Sequence, residues 1–173
     1  MTEFELIERY FRRLPRNAVL GVGDDAALIA PSPGFEIAAS VDMLVEGRHF
    51  FAGAEAEALG HKTLAVNLSD LAAMGATPRW ALLAFALPAA DEAWLSAFAR
   101  GFFALADEHG VDLVFGFAQP KHHAGFADQA LLLGDVQKLE AAPIFGLRPN
   151  ALVKPRNGFD VVIQNFGAFV EHQ

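Results

Sequence analysis

An α/β (α+β) layer fold is predicted for this chain by three observations. Apolar, strand-like runs alternate along the sequence with segments of helical periodicity. The 173 residues suit one domain of ordinary size. The composition, 53% hydrophobic with 16 Phe and 20% charged, is that of a packed core rather than of a disordered chain.

The same composition excludes several functions. No apolar run approaches the roughly 18 residues that suggest a membrane span, and the first residues, Met1-Thr2-Glu3-Phe4-Glu5, are acidic where a secretory signal would be basic. A cytoplasmic location is therefore expected. With no cysteine there is neither a disulfide framework nor a thiolate metal site. A net charge of −8, offset by no run of Lys or Arg, would repel nucleic acid and anionic lipid, so neither nucleic acid nor membrane is expected as a partner. An anionic substrate would need metal ions or local donors.

In chain order, Thr2 and Glu5 form a capping-box pattern, and Phe4, Ile7, Phe11 and Leu14 continue at helical spacing as far as Pro15. Arg9, Arg12, Arg13 and Arg16 give that helix a solvated basic side. Val19 to Ile29 is strand-like but interrupted by Gly21, Gly23, Asp24 and Asp25; an acidic Gly-Asp turn is the alternative. Pro31-Ser32-Pro33-Gly34 turns the chain into a second strand, Phe35 to Leu44, with Ser40 and Asp42 on one face. Val45 to Phe51 reads as a loop, in which a histidine such as His49 is more often a surface hydrogen-bonding residue than a ligand.

A helix is predicted from near Ala54, with Gly75 suited to end it and Pro78 preventing continuation. Trp80 to Leu87 reads as a strand buried on both faces, closed by Pro88. Asp91 caps a second long helix through Glu108, whose Trp94, Leu95, Phe98, Phe102 and Leu105 form a core face, and Gly110 ends it. Val111 to Phe117 is a strand candidate. Gln119 to Gly125 is a loop whose His122-His123 pair is a weak metal signal without an acid at ligand spacing. Ala130 to Val136 follows as a strand and Pro143 to Pro149 as a turn-rich connection. Asn157-Gly158 could turn a hairpin between Leu152-Val153 and Val161-Val162-Ile163.

The chemistry concentrates in carboxylates. Asp70 sits in a predicted helix, where aspartate is a poor helix former. Thr63, Asn67 and Asp70 share one helical face as a narrow polar stripe. That stripe is either a solvated surface or a place where something outside the helix uses the charge. Asp25, Asp42 and Asp70, from two strands and a helix, are what a hard-cation site requires. Mg²⁺ held in this way could bind a polyphosphate without a P-loop, and no G-x-x-x-x-G-K-[ST] occurs.

Four stretches carry a family resemblance. Phe4 to Ile7, Gly21 to Leu28, Ser40-Val41-Asp42-Met43-Leu44-Val45-Glu46-Gly47-Arg48-His49-Phe50, and His61 to Ala76 with Asn67-Leu68-Ser69-Asp70 resemble the N-terminal domain of thiamine-monophosphate kinase. They occur in order and at the right spacing over about residues 3 to 114, and Asp91 to Leu95 fits as well. The resemblance implies an aminoimidazole ribonucleotide synthetase N-terminal-like domain. Such a domain has a mixed sheet with helices packed on one face and dimerises through the sheet.

It also implies transfer of the ATP γ-phosphoryl group to thiamine monophosphate, giving thiamine diphosphate in a homodimer. By family position Asp25, Ser40, Val41, Asp42 and Asp70 would surround Mg²⁺, His49 would bind substrate, and Gly116 would contact nucleotide. Two departures stand out. Val41 replaces a usual Thr, and the family's Gly-Gly-Asp-Thr-Thr reads Phe115-Gly116-Phe117-Ala118-Gln119 here. The expected organisation is a kinase N-terminal-like domain over 1–140 and a divergent tail over 141–173, with the family's second domain absent. A non-catalytic dimeric binding or scaffold protein, or another ATP-dependent synthetase of the same fold, are the alternatives.

Overall fold

The computed structural model describes residues 2–24, 26–87, 89–120 and 162–172. Helix α1 (Glu3–Tyr10) begins with the capping box read from the sequence: Thr2 Oγ1 accepts from the Glu5 amide, and the Glu5 carboxylate accepts from the Thr2 amide at 2.7 Å. It ends earlier than the periodicity to Leu14 suggests, and Leu14 is 93% exposed. Beyond it, Phe11 is buried edge-on against Phe98, with ring centroids 6.4 Å apart.

The basic side of this segment is ion-paired rather than merely solvated. The Arg13 guanidinium lies 3.6 Å over the Phe103 ring and 2.9 Å from Asp107. The nearly buried Asp112 carboxylate accepts from the Arg16 amide, the Arg16 Nε and the Asn17 amide.

Among the described residues, the strand expected over Val19 to Ile29 is not formed. Leu20 and Leu28 make an antiparallel bridge, and the described residues between them loop out. Gly23, at φ 126°, takes a conformation open to few other residues, and the described carboxylate in this loop, Asp24, is exposed. The Gly-Asp turn, held as the alternative, is thus what the local chemistry favours. The second predicted strand is divided into β1 (Glu36–Ala38) and β2 (Val41–Val45).

Helix α2 (Ala56–Ala73) and helix α3 (Glu92–His109) follow the predicted spans closely. Asp91 Oδ1 accepts from the Ala93 and Trp94 amides, and Gly110 closes α3 in the left-handed conformation at φ 66°. Between the helices runs β3 (Thr77–Leu87), and after α3 comes β4 (Asp112–Pro120).

The sheet is mixed. β3 and β4 are parallel, joined through α3, while β5 (Val162–His172) pairs antiparallel with β3 on one side and with β1 and β2 on the other. Val162-Ile163 therefore lies opposite Val45-Leu44 and Ala86-Phe85. The other arm proposed for its hairpin, Leu152-Val153, lies outside the described residues, as do the strand at Ala130 to Val136, the turn at Pro143 to Pro149, and His122-His123.

Leu44, Ala81, Leu83 and Leu87 enter one core with Leu6 of α1, Leu59 and Leu64 of α2, and Leu95, Phe98 and Phe102 of α3. Each large side chain fully buried there contributes about 1.5–3 kcal/mol. On the opposite face of β2, Val41 is 57% and Met43 46% exposed.

Candidate functional site

The buried residues of α2 recur as Ala56, Leu59, Gly60, Thr63, Leu64, Asn67 and Leu71, a stripe of helical period. Thr63 and Asn67 belong to this stripe and are completely buried, whereas Asp70 is exposed. The polar face expected to run continuously through all three is thus split. Thr63 Oγ1 satisfies itself by donating to the Leu59 carbonyl at 2.8 Å. Among the described residues the Asn67 side-chain amide meets no hydrogen-bond partner, and a buried amide left so costs about 1–3 kcal/mol.

Asp70 emerges one turn from the end of α2, whose last turn holds no basic residue. A carboxylate at the negative end of a helix is electrostatically disfavoured, so this position favours an external cation. Among the described residues the Ser40 hydroxyl meets it, donating to Asp70 Oδ2 at 3.0 Å across the gap between helix and sheet. Ser40 is held there by the break between β1 and β2, and Asp42 follows two residues on, half-buried.

Strand alternation places Asp42 on the same side as buried Leu44, facing the helices, and Val41 on the exposed side. Of the expected metal-site residues, the structure therefore brings Ser40 and Asp70 together, sets Asp42 on their side of the sheet, and turns Val41 away. Asp25 lies outside the described residues. Among the described residues no three His, Cys, Asp or Glu side chains are grouped so as to hold a metal by themselves. Two carboxylates and a hydroxyl are nonetheless hard oxygen donors of the kind Mg²⁺ takes, since it keeps several waters and shares its remaining positions with phosphate.

Registers carry this row across the sheet. Asp42 is opposite Asn165, Asn165 opposite Leu83, and Leu83 opposite Gly116. Asp42 and Gly116 thus occupy one level, three strand spacings or about 14 Å apart. Phe117 stands in the adjoining row, with Ala84, Gln164 and Met43.

His49 is exposed, on a turn that leaves β2. Val45 N donates to His49 Nδ1 at 2.9 Å, His49 N donates back to the Val45 carbonyl at 2.8 Å, and the Lys62 ammonium of α2 donates to the His49 carbonyl. The Lys62 contact was not legible in the sequence, because it joins residues of two elements that only tertiary packing brings together. Glu46, at the start of the same turn, buries Oε2 without a partner among the described residues and lines a cleft of about 370 Å³ with Phe50, Leu59, Asp91 and Trp94.

Fold and site together define an α+β domain that offers oxygen donors for a cation at the junction of a broken strand and a helix end. Residues 23–130 match the family model described as AIR synthase related protein, N-terminal domain, and the chain belongs to that family. The thiamine-monophosphate kinase of Buchnera aphidicola subsp. Acyrthosiphon pisum (strain APS) is 46% identical over 118 residues, covering 66% of this chain and 36% of its own length. This chain thus spans about a third of that relative.

The crystal structure of thiamine-monophosphate kinase from Stenotrophomonas maltophilia K279a shares 33% identity at a TM-score of 0.58, across 96% of this chain and 40% of the other. A structure described as AaThiL complexed with AMPPCP and TMP is similar in fold at a TM-score of 0.54 and 22% identity, across 79% of this chain and 32% of that one. The kinase resemblance drawn from the motifs is thereby shown at the level of family and homologues.

Proposed function

We propose that this chain takes part in ATP- and Mg²⁺-dependent phosphorylation of thiamine monophosphate to thiamine diphosphate. The observation that carries the reading is the Ser40–Asp70 contact at the end of α2, with Asp42 on the same side of the sheet. Asp42 and Asp70, with Asp25 by family position, would hold Mg²⁺, and Ser40 would orient the Asp70 carboxylate. Mg²⁺, when bound, supplies positive charge that neutralises the phosphates of donor and acceptor.

The acceptor is itself an anionic phosphate, so a strong general base matters less than bringing two anions together. In a chain of net charge −8 that task falls to such a cation and to local donors, His49 among them. Gly116 would let nucleotide approach the backbone of β4. Val41 and Met43 support a homodimer, because pairing their exposed face with a second copy would cover it. A cytoplasmic setting suits this chemistry, and among the described residues no helix is long and apolar enough to cross a membrane.

The test is equilibrium binding of ATP in the presence of Mg²⁺. Wild type should bind stoichiometrically and only with Mg²⁺. Asp42→Asn should bind at least about tenfold more weakly, the change that follows from losing about 1.4 kcal/mol of attraction between carboxylate and cation. Unchanged affinity would remove Asp42 from the site. The second reading, a dimeric binding or scaffold protein of kinase ancestry, is favoured by Phe117 standing where the family pattern has an acid; it requires no Mg²⁺-dependent nucleotide binding.

A further inference from the structure

The turn that follows β2 is fixed at more points than a surface loop needs. Gly47 adopts φ 75°, where a side chain would be strained, and its amide donates to the Phe50 carbonyl at 2.8 Å. The Arg48 and His49 amides both donate to the Val45 carbonyl, at 3.1 and 2.8 Å. The Val45 amide returns the connection to the His49 ring, at Nδ1.

A nitrogen that accepts from a backbone N–H carries no proton of its own, so the neutral imidazole must be protonated at Nε2. The inner side of His49 is then fully engaged and its outward atom is a donor. The remaining handle, the backbone carbonyl, accepts from the Lys62 ammonium, which rises from the second turn of α2. α2 is itself anchored in the core by Leu59 and Leu64, on either side of Lys62 in sequence. The ammonium therefore ties an exposed turn to a rigid element.

We propose that Lys62 is a positioning residue, which by holding the His49 carbonyl keeps the 45–49 turn closed and presents His49 Nε2–H as a preset donor to an anionic phosphate oxygen. This inference rests on the reading of His49 as a substrate contact and adds the residue that orients it. The ammonium also adds positive charge beside His49 and Arg48, which in an acidic chain favours the approach of a phosphate. The Lys62 bond to the carbonyl is charge-assisted, and such bonds are stronger than neutral ones.

The test is nitrogen NMR of the full chain labelled at its histidines, with His49→Gln identifying the His49 ring among the six. It is combined with titration of thiamine monophosphate in the presence of Mg²⁺. Lys62 is exposed, so Lys62→Met leaves the core intact. In wild type the His49 ring should be the Nε2-protonated form. In Lys62→Met it should become a mixture of the two neutral forms, with thiamine monophosphate bound about three- to tenfold more weakly, and Lys62→Arg should restore both.

Ring signals unchanged in Lys62→Met overturn the positioning role, whatever the ligand does. Ring signals that respond as expected, with thiamine monophosphate bound alike by wild type and His49→Gln, uphold the positioning role and overturn the substrate reading of His49.

Discussion

At the scale of single residues, hydrogen bonds aimed at one charge state leave a measurable mark at Glu5. Its carboxyl is held below the usual carboxylate range, first by the Thr2 backbone N–H and then by the Thr2 hydroxyl. A folded pKa below the unfolded one means that the capping box contributes fully above the unfolded value and is lost as pH falls through the folded value. The Thr2 amide resonance should therefore titrate with a midpoint below the ordinary 4.5. A midpoint at or above 4.5 would show that the reciprocal bond does not form.

The Thr2–Glu5 pair was legible from sequence because both partners lie within one helical turn. The same holds for the Asp91 cap of α3. The pairing of Asp70 with Ser40 was legible only as two candidates, since 30 residues separate them and a broken strand brings them into contact. Burial of Asn67 was not legible, because an amide beside Asp70 on the same helical face reads as solvated until α2 is packed.

At the scale of elements, α2 and α3 meet through two glycines. A Cβ built on Gly60 would lie 2.0 Å from the Phe98 carbonyl oxygen, and one on Gly101 would lie 1.8 Å from that of Glu57. Both clashes are with backbone, which cannot swing aside. Glycine inside a helix costs about 1 kcal/mol relative to alanine, so on propensity alone each replacement should stabilise. Overpacking typically costs about 1–3 kcal/mol and occasionally more, and here two helix backbones must separate.

Packing should therefore win. Gly60→Ala and Gly101→Ala should each lower the unfolding free energy in urea by about 2 kcal/mol. A stability equal to or above wild type in both would contradict this close approach.

Both helices were readable in outline from their apolar period and caps, and β3 from its unbroken apolar run. β5 was not. Only Val162-Ile163 carried a strand signal, and the partners that fix the rest, such as Ala38 opposite Val170, lie far away in sequence. The opposite error occurred at Val19 to Ile29, where apolar composition suggested a strand but Gly21, Gly23 and the adjacent acids favour a loop closed by one bridge.

At the scale of the whole molecule, the sheet turns scattered sequence motifs into one level. Asp42, Leu83 and Gly116 lie on three separate strands, β2, β3 and β4, yet the registers align them through Asn165. The core built by α1, α2 and α3 lies on the side of the sheet that half-buried Asp42 faces, and exposed Asp70 emerges at the end of α2. The exposed Val41 and Met43 lie on the other side. A cation and its phosphates, and a second copy of the chain, would thus engage opposite faces of the same short strand.

The central claim is that this arrangement serves phosphoryl transfer to thiamine monophosphate. Its most direct test is formation of thiamine diphosphate by the purified chain with Mg²⁺, ATP and thiamine monophosphate, beside Asp70→Asn as a control for contaminating kinase. The account predicts product from the wild-type chain and a loss of at least about tenfold in Asp70→Asn, equivalent to about 1.4 kcal/mol of lost stabilisation. No product from the wild-type chain, or equal product from both proteins, would contradict it.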